Sequence, residues 1–145
     1  MDAFPHHYKV SSTAEAAGHV VLSSENLPEI TTAPPREFGG PGDQWSPEAL
    51  LVGAVADCFI LTFRAVAKMS GLEWSNLECN VSGTLDRVEK VTRFTAINVE
   101  ATLTVPAGTD IEKAEKLLHK AEHGCLITNS LIADSELTTS VNVAA

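Results

Sequence analysis

One apolar run constrains the fold of this chain more than any other feature. The run extends from Pro47 to Gly71 and reads PEALLVGAVADCFILTFRAVAKMSG. Ser46 before it is a favourable N-cap, Pro47 suits the first helical position, and Gly71 is a typical residue just past a helix end. Because this predicted helix is apolar on nearly all sides, we expect it to be buried nearly all round. One chain of 145 residues rarely encloses such a helix, so we expect a second copy to cover part of it.

Charge and cysteine content narrow the class of protein. With 19 acidic and 10 basic residues the formal charge is −9, which disfavours binding to nucleic acid, whose phosphates require a basic surface. Asp57 and Arg64 interrupt the apolar run, and a charge near the centre of a bilayer costs about 2.5–3.5 kcal/mol, which favours a helix of a soluble protein. The N-terminal segment shows no signal peptide, and three cysteines are too few for a secreted disulfide framework. We therefore expect a cytoplasmic protein.

The chain shows no internal repeat and no linker, so we predict a single domain over residues 1–145. Short, partly paired strands are predicted between Tyr8 and Ile30, and the proline- and glycine-rich stretch over residues 33–42 is a predicted loop. Alternation of apolar and polar residues predicts two longer strands, Leu77–Val88 and Thr92–Val105, which a turn at residues 89–90 would join into a hairpin.

A second helix and a last strand complete the predicted architecture. The helix is predicted to begin at Thr109, with Glu112 as the partner in a capping box, and to end at Gly124. The strand is predicted over Leu137–Val143. This order of elements indicates the α+β class with an antiparallel sheet and a long buried central helix.

The three cysteines are the first candidates for chemistry. Cys58 lies within the apolar helix, and Cys125 directly follows the predicted end of the second helix. Such a pair suits a peroxidatic and a resolving cysteine: the first would become a sulfenic acid on reaction with a peroxide, and the second would condense with it to a disulfide. Free cysteine is also one of the most buried residue types, so packing alone is the alternative for both, and it is the preferred interpretation of Cys79.

Two charged residues could assist a thiolate. A cation beside Cys58 would stabilise its thiolate, and a carboxylate would orient that cation, which makes Arg36 and Glu48 candidates for these roles. Each also has a plainer explanation, as an exposed loop arginine and as a carboxylate favoured in the first turn of a helix. Glu48 and Cys58 are ten residues apart, or about 15 Å along a helix, so they cannot meet within one straight helix. Two such helices packed antiparallel in a dimer would bring them together.

A third constellation is a possible zinc site. His119 and His123 share one face of the second predicted helix, and Cys125 is near enough in sequence to supply a third ligand. The two histidines lie among charged residues, so an exposed polar face is the preferred interpretation. No metal is expected.

Together, these motifs resemble the family of osmotically inducible and organic hydroperoxide resistance proteins, the OsmC/Ohr family. The resemblance depends on the run APPREFGGPGDQWSPEALLVGAVADCF, residues 33–59, and on HGCLITNS, residues 123–130. It extends over essentially the whole chain, including the order of strands and helices.

The resemblance implies an intertwined homodimer in which two long central helices lie between curved sheets, with the sites at the dimer interface. It implies thiol-dependent reduction of organic hydroperoxides to alcohols, with no bound cofactor and with reducing equivalents from a dithiol such as a lipoylated protein. By position, Cys58 would be the peroxidatic cysteine and Cys125 the resolving one. Glu48 would match the glutamate that orients the catalytic arginine.

The chain departs from the family pattern at four places. The stretch EAAGHVV contains His19 where one branch of the family has its catalytic arginine, and Arg36 matches a different family arginine. Leu126 follows the second cysteine where a proline is usual, and Asp57 replaces a small residue. The resemblance is therefore to an OsmC-like branch. The competing hypothesis is a non-catalytic dimeric module that binds a hydrophobic small molecule in the interfacial cleft.

Overall fold

The apolar run forms one helix with both of its predicted ends. In a computed structural model that describes all residues from Met1 to Ala145, this helix, α1, spans Pro47–Ser70. The Ser46 side-chain oxygen accepts a hydrogen bond from the backbone N–H of Ala49 at 3.1 Å, as an N-cap does. Gly71 follows the helix with φ of +69°, a left-handed conformation that glycine adopts without a steric penalty.

The chain divides into two compact units, Met1–Leu50 and Leu51–Ala145. The prediction of one domain over residues 1–145 stays a prediction. In the first unit, three short strands form an antiparallel sheet in the order β1-β2-β3: β1 is Ser11–Thr13, β2 is Val20–Ser23 and β3 is Ile30–Thr32. The predicted loop that follows contains one 3₁₀ turn, Arg36–Phe38.

A long hairpin dominates the second unit. Its strands are β4, Asn76–Val88, and β5, Val91–Val105, which pair antiparallel with one shift of register between Thr84 and Leu85. The two residues between them, Glu89 and Lys90, have φ of +50° and +69°, as in the tight turns whose twist matches that of the flanking strands. The predicted hairpin and its turn are confirmed.

The last strand corrects one prediction. β6, Asp134–Val143, pairs with β5 in parallel, so this sheet, in the order β4-β5-β6, is mixed rather than purely antiparallel. A parallel pair requires a crossover connection, which here contains α2, Ile111–Gly124, and α3, Leu126–Asn129. The α+β class is confirmed.

The N-cap of α2 also differs from the prediction. The cap is Asp110, whose carboxylate accepts a hydrogen bond from the N–H of Lys113 at 3.1 Å. Thr109, the predicted cap, instead donates its hydroxyl to the carbonyl oxygen of Pro106 at 2.7 Å. Thr109 and Asp110 both have side chains that can cap a helix. Asp110 caps α2, and the Thr109 side chain instead bonds within the preceding loop.

A single core forms between the helices and the mixed sheet. It contains one face of α1 (Val55, Phe59, Phe63, Ala67), alternate residues of β5 (Ile97, Val99, Ala101, Leu103, Val105), Leu77 of β4, and the apolar face of α2 (Ala114, Leu117, Leu118, Ala121). The alternation along β5 means that only one face of this sheet is covered by these helices.

The burial of α1 within the single chain is one-sided, in keeping with the expectation that a second copy covers part of it; burial nearly all round stays a prediction. Only four of its 24 residues are fully buried. Large apolar side chains elsewhere on the helix remain exposed, such as Leu61 at 51% and Met69 at 85%. The length and mean hydropathy of α1 would also suit a membrane-spanning helix, but the core helix of a soluble protein meets the same two criteria.

Candidate active site

Cys58 lies at the edge of the buried face of α1. Phe59, the next residue, is 1% exposed and belongs to the core, whereas Cys58 is partly accessible and Asp57 is exposed. Successive helical residues point about 100° apart, so the carboxylate of Asp57 turns towards solvent. One turn further along, Oγ1 of Thr62 lies 3.8 Å from Sγ of Cys58. The thiol is thus held by the core but remains reachable.

Cys125 lies at the junction of α2 and α3, and only 1% of it is exposed. Gly124 allows the end of α2 to approach α1, because a Cβ at this position would lie 3.3 Å from Cγ2 of Thr62. The hydroxyl of Thr128 donates a hydrogen bond to Sγ of Cys125 at 3.3 Å. The junction therefore places Cys125 beside the turn of α1 that carries Cys58.

The two thiols are near enough to change each other's pKa. The Cys125 thiol acts as a donor that lowers the pKa of Cys58, the nearby Cys58 raises the pKa of Cys125, and the two residues are not joined by a disulfide. The structure therefore brings together the two cysteines that the sequence singled out, although they are far apart along the chain.

The surroundings of Cys58 favour its thiolate. Burial raises the pKa of Cys58, but four hydrogen bonds outweigh burial and leave the pKa below its ordinary value: those from the N–H of Ile127, the thiol of Cys125, the hydroxyl of Thr62 and the N–H of Leu126. The first N–H groups of a helix have no partner within the helix, which leaves those of α3 free to point at the sulfur. No side-chain cation is among the groups that lower this pKa.

The surroundings of Cys125 favour its neutral thiol. Burial raises the pKa of Cys125 most; the hydroxyl and N–H of Thr128 oppose this effect, and the neighbouring Cys58 reinforces it. The pKa shifts of the two cysteines therefore have opposite signs. When one of the two thiols ionises, this arrangement therefore favours the thiolate on Cys58 and the neutral thiol on Cys125.

Cys79 is a third thiol near this pair. It lies on β4 opposite Ala101 of β5 and packs against the core. Burial and the negative charge that Cys125 carries when ionised raise the pKa of Cys79 to about 11. A thiol with so high a pKa is a poor nucleophile at neutral pH, which agrees with the packing role preferred for this residue.

Arg36 and Glu48 both belong to the first unit, and they do not form the predicted ion pair there. Arg36 is exposed and its side chain runs against Gly42. Oε1 of Glu48 is buried and has no hydrogen-bond partner. The carboxylate of Glu48 is therefore left with an unfilled hydrogen-bond acceptor.

A cavity of about 400 Å³ lies beside Glu48 in the first unit. Its walls are mostly apolar and include Val20 and Leu22 of β2, Pro34, Phe38 and Leu50. A largely apolar cavity with one carboxylate at its wall is the usual composition of a small-molecule site.

The histidine constellation does not form a metal site. His119 and His123 are exposed on α2, whereas Cys125 is buried against Cys58 and Thr128. No group of three histidine, cysteine or acidic side chains lies close enough to hold a metal ion. The helix ends between the histidines and the cysteine, and this change of direction separates them.

Sequence reasoning missed four groups of the site: the hydroxyls of Thr62 and Thr128, and the backbone N–H groups of Leu126 and Ile127. The spacing offered a partial signal for the threonines, because residues four apart on a helix share a face, as do Cys58 and Thr62. No local pattern indicates which sulfur a backbone N–H will meet.

This fold and this site define a class: α+β proteins with a reduced cysteine pair, in which one thiol is activated and its partner is buried beside it. Residues 40–140 match the family model for OsmC-like protein. The chain therefore belongs to the OsmC-like family.

Similar proteins agree with this assignment. The chain is 30% identical over 112 residues, 75% of each chain, to the uncharacterized protein YmaD of Bacillus subtilis. It is 28% identical over 132 residues, 90% of each chain, to an organic hydroperoxide resistance protein of Xanthomonas axonopodis pv. citri.

A solved structure of an OsmC-like protein of unknown function from Vibrio cholerae has a TM-score of 0.84 at 18% identity and covers 93% of this chain and 99% of its own. An organic hydroperoxide resistance protein from Legionella pneumophila has a TM-score of 0.75 at 23% identity, with 97% and 99% covered. At these identities the structures show the shared fold.

Proposed function

We propose that this protein is a thiol peroxidase that reduces organic hydroperoxides to alcohols, with Cys58 as the peroxidatic and Cys125 as the resolving cysteine. The observation that carries the proposal is the presence of two neighbouring reduced thiols whose pKa values are shifted in opposite directions. A peroxidatic cysteine must be a thiolate, and a resolving cysteine must stay protonated until the sulfenic acid has formed. Similarity to organic hydroperoxide resistance proteins supports the choice of substrate.

The proposed cycle has three balanced steps. The Cys58 thiolate attacks the terminal oxygen of ROOH; the S–O bond forms, the O–O bond breaks, and the alkoxide takes up a proton to leave as ROH. The Cys125 sulfur then attacks the sulfenic sulfur, and the hydroxyl leaves as water with the Cys125 proton. An external dithiol, such as a lipoyl group on a partner protein, reduces the disulfide by exchange and is itself oxidised to a disulfide. No bound cofactor enters this scheme.

We further propose that the protein is a cytoplasmic homodimer in which a second copy completes each site. The one-sided burial of α1 supports this proposal, since its other apolar side chains need a cover. The unpartnered Oε1 of Glu48 supports it as well, because a buried carboxylate oxygen without a hydrogen bond is costly. In this proposal Glu48 and Arg36 of one copy act beside Cys58 of the other, and the pairing in which Glu48 orients the guanidinium, absent in the single chain, forms on assembly.

Peptide mapping tests the peroxidase proposal. Reduced protein is treated with a small excess of cumene hydroperoxide, blocked with an alkylating reagent and digested for mass spectrometry. We expect a rapid intramolecular link between Cys58 and Cys125, no turnover in Cys58→Ser, and wild-type turnover in the matched control Cys79→Ser. The proposal fails if both cysteines remain reduced and alkylate slowly.

Sedimentation analysis tests the dimer. The wild-type protein should sediment at twice 15.4 kDa, and Leu61→Glu, which places a charge on the exposed apolar side of α1, should shift it towards the monomer. Lys116→Ala at an exposed site on α2, which also lowers the net charge by one, is the charge-matched control. A wild-type monomer at micromolar concentration would contradict the proposal.

A second candidate function is binding of a hydrophobic small molecule without turnover. The apolar cavity of about 400 Å³ beside Glu48 favours it, because its size suits a small ligand. This candidate predicts saturable binding of an apolar fluorescent probe that is unchanged in Cys58→Ser and lost when Leu22→Trp fills the cavity. If peroxide turnover is rapid, the cavity instead becomes a candidate for the alkyl group of the hydroperoxide.

A further inference from the structure

Thr128 is the one side chain, other than Cys58, in polar contact with the sulfur of Cys125. It is the third residue of α3 and is partly buried, and its hydroxyl donates to Sγ of Cys125 at 3.3 Å. The Thr128 hydroxyl makes no other hydrogen bond. The contact is also shielded from solvent, because Cys125 is only 1% exposed.

The chemistry of resolution creates a need for such a donor. Cys125 must attack the sulfenic sulfur of Cys58, and negative charge develops on its own sulfur as the S–H proton leaves. Burial opposes that charge and raises the pKa of Cys125. Little water can reach this sulfur, so the protein itself must supply the hydrogen bonds that the charge requires.

The direction of the contacts matches this need. In the reduced state, Cys125 uses its proton as a donor to Cys58 and its lone pairs as acceptors from Thr128. Thr62 occupies the corresponding position on the other side of the pair, with its hydroxyl 3.8 Å from the sulfur of Cys58. Each sulfur thus has its own threonine, and the shorter contact belongs to Cys125.

We propose that Thr128 is a hydrogen-bond donor for the resolving step, which holds Sγ of Cys125 towards Cys58 and stabilises the charge that develops on it during attack. This inference rests on the proposed peroxidase function. The step forms the S–S bond between Cys58 and Cys125 and breaks the S–O bond of the sulfenic acid, and the leaving hydroxyl takes the Cys125 proton as water. The sulfenic sulfur is reduced and the Cys125 sulfur is oxidised, so no further oxidant or reductant enters.

The test separates the two half-reactions by rapid quench and mass spectrometry of the full-length protein. The first, sulfenic acid formation, depends on the concentration of cumene hydroperoxide, whereas the second, disulfide formation, does not. Thr128→Val removes the hydroxyl with little change of shape, Thr128→Ser retains it, and Thr128→Ala controls for an effect of the added methyl group. Thermal unfolding confirms that each variant is folded.

We expect Thr128→Val and Thr128→Ala to slow disulfide formation about ten-fold, because a hydrogen bond to a charged group is lost. The pH midpoint of that step should rise, and the rate of sulfenic acid formation should stay within about two-fold of wild type since Cys58 keeps its own donors. More Cys58 should reach the sulfinic acid at high peroxide, because the sulfenic acid lives longer. Thr128→Ser should restore the wild-type rate and pH midpoint.

Two results would overturn the inference while leaving the peroxidase function in place: wild-type resolution in Thr128→Val, or an equal loss in both half-reactions that Thr128→Ser does not rescue. A wild-type protein that forms no Cys58–Cys125 disulfide refutes the peroxidase proposal itself. These failures are therefore distinguishable.

Discussion

The substitution Leu126→Pro isolates one backbone hydrogen bond to the reactive sulfur. Leu126 is the first residue of α3, a position where proline fits a helix because the N–H has no helical partner. The residue before it, Cys125, has φ of −69° and ψ of 103°, an extended conformation that a following proline tolerates. The Leu126 side chain is 66% exposed, so its loss should cost little packing. The substitution therefore removes the N–H donor to Cys58 and little else.

The magnitude follows from the type of bond. A hydrogen bond to a charged group is worth about 1.5–3 kcal/mol, and we take the lower end because Cys58 is partly accessible to water. About 1.4 kcal/mol corresponds to a factor of ten in the thiolate population. The loss destabilises the thiolate, so the pKa of Cys58 rises, and at pH values well below the wild-type pKa the sulfur reacts about ten-fold more slowly.

The assay is the pH dependence of Cys58 alkylation by iodoacetamide, followed by mass spectrometry in a Cys79→Ser background. Leu126→Ala, which shortens the side chain and keeps the N–H, is the matched control and should titrate like wild type. Equal midpoints in the proline and alanine variants would refute the reasoning, since the N–H of Leu126 would then contribute nothing to the thiolate. A shift in both variants would assign the effect to the side chain instead.

Two further predictions concern stability. The pKa of Cys79 is raised to about 11 in the folded protein, whereas the thiol of the unfolded chain loses its proton from about pH 8.5. Because the folded state binds the proton more tightly, the unfolding free energy falls as the pH rises between these two values. In Cys79→Ala, urea unfolding at increasing pH should show a smaller fall in unfolding free energy, and the fall that remains is assigned to Cys125, whose pKa is also raised. The same dependence of unfolding free energy on pH in Cys79→Ala and in the wild type would contradict this prediction. Removal of the α2 cap in Asp110→Ala should cost about 1 kcal/mol by the same measurement, because the N–H of Lys113 loses its acceptor. Asp110→Asn keeps an acceptor and should unfold like wild type, and a full-sized loss in it would argue against capping.

Local signals determined most of the secondary structure. Ser46, Pro47 and Gly71 set both ends of α1, because capping and positive φ depend on a few neighbouring residues. Alternation along residues 92–105 set β5 and the face that it buries, and the two-residue turn set the hairpin register as far as the shift between Thr84 and Leu85. The spacing of two cysteines within recognisable motifs pointed to the reactive pair.

Tertiary structure decided which groups meet. Whether β6 runs parallel or antiparallel depends on the path of the crossover, and the burial of α1 depends on what covers it; no residue of either element encodes these outcomes alone. The same holds for the site: the pair expected from charge, Arg36 and Glu48, does not form within the chain, and two of the four donors to Cys58 are backbone N–H groups that follow Cys125. Every residue but proline carries an N–H, so sequence does not mark which ones will be free and aimed at a sulfur. That is decided when the helix junction docks on α1 and its unpaired donors find the nearest acceptor.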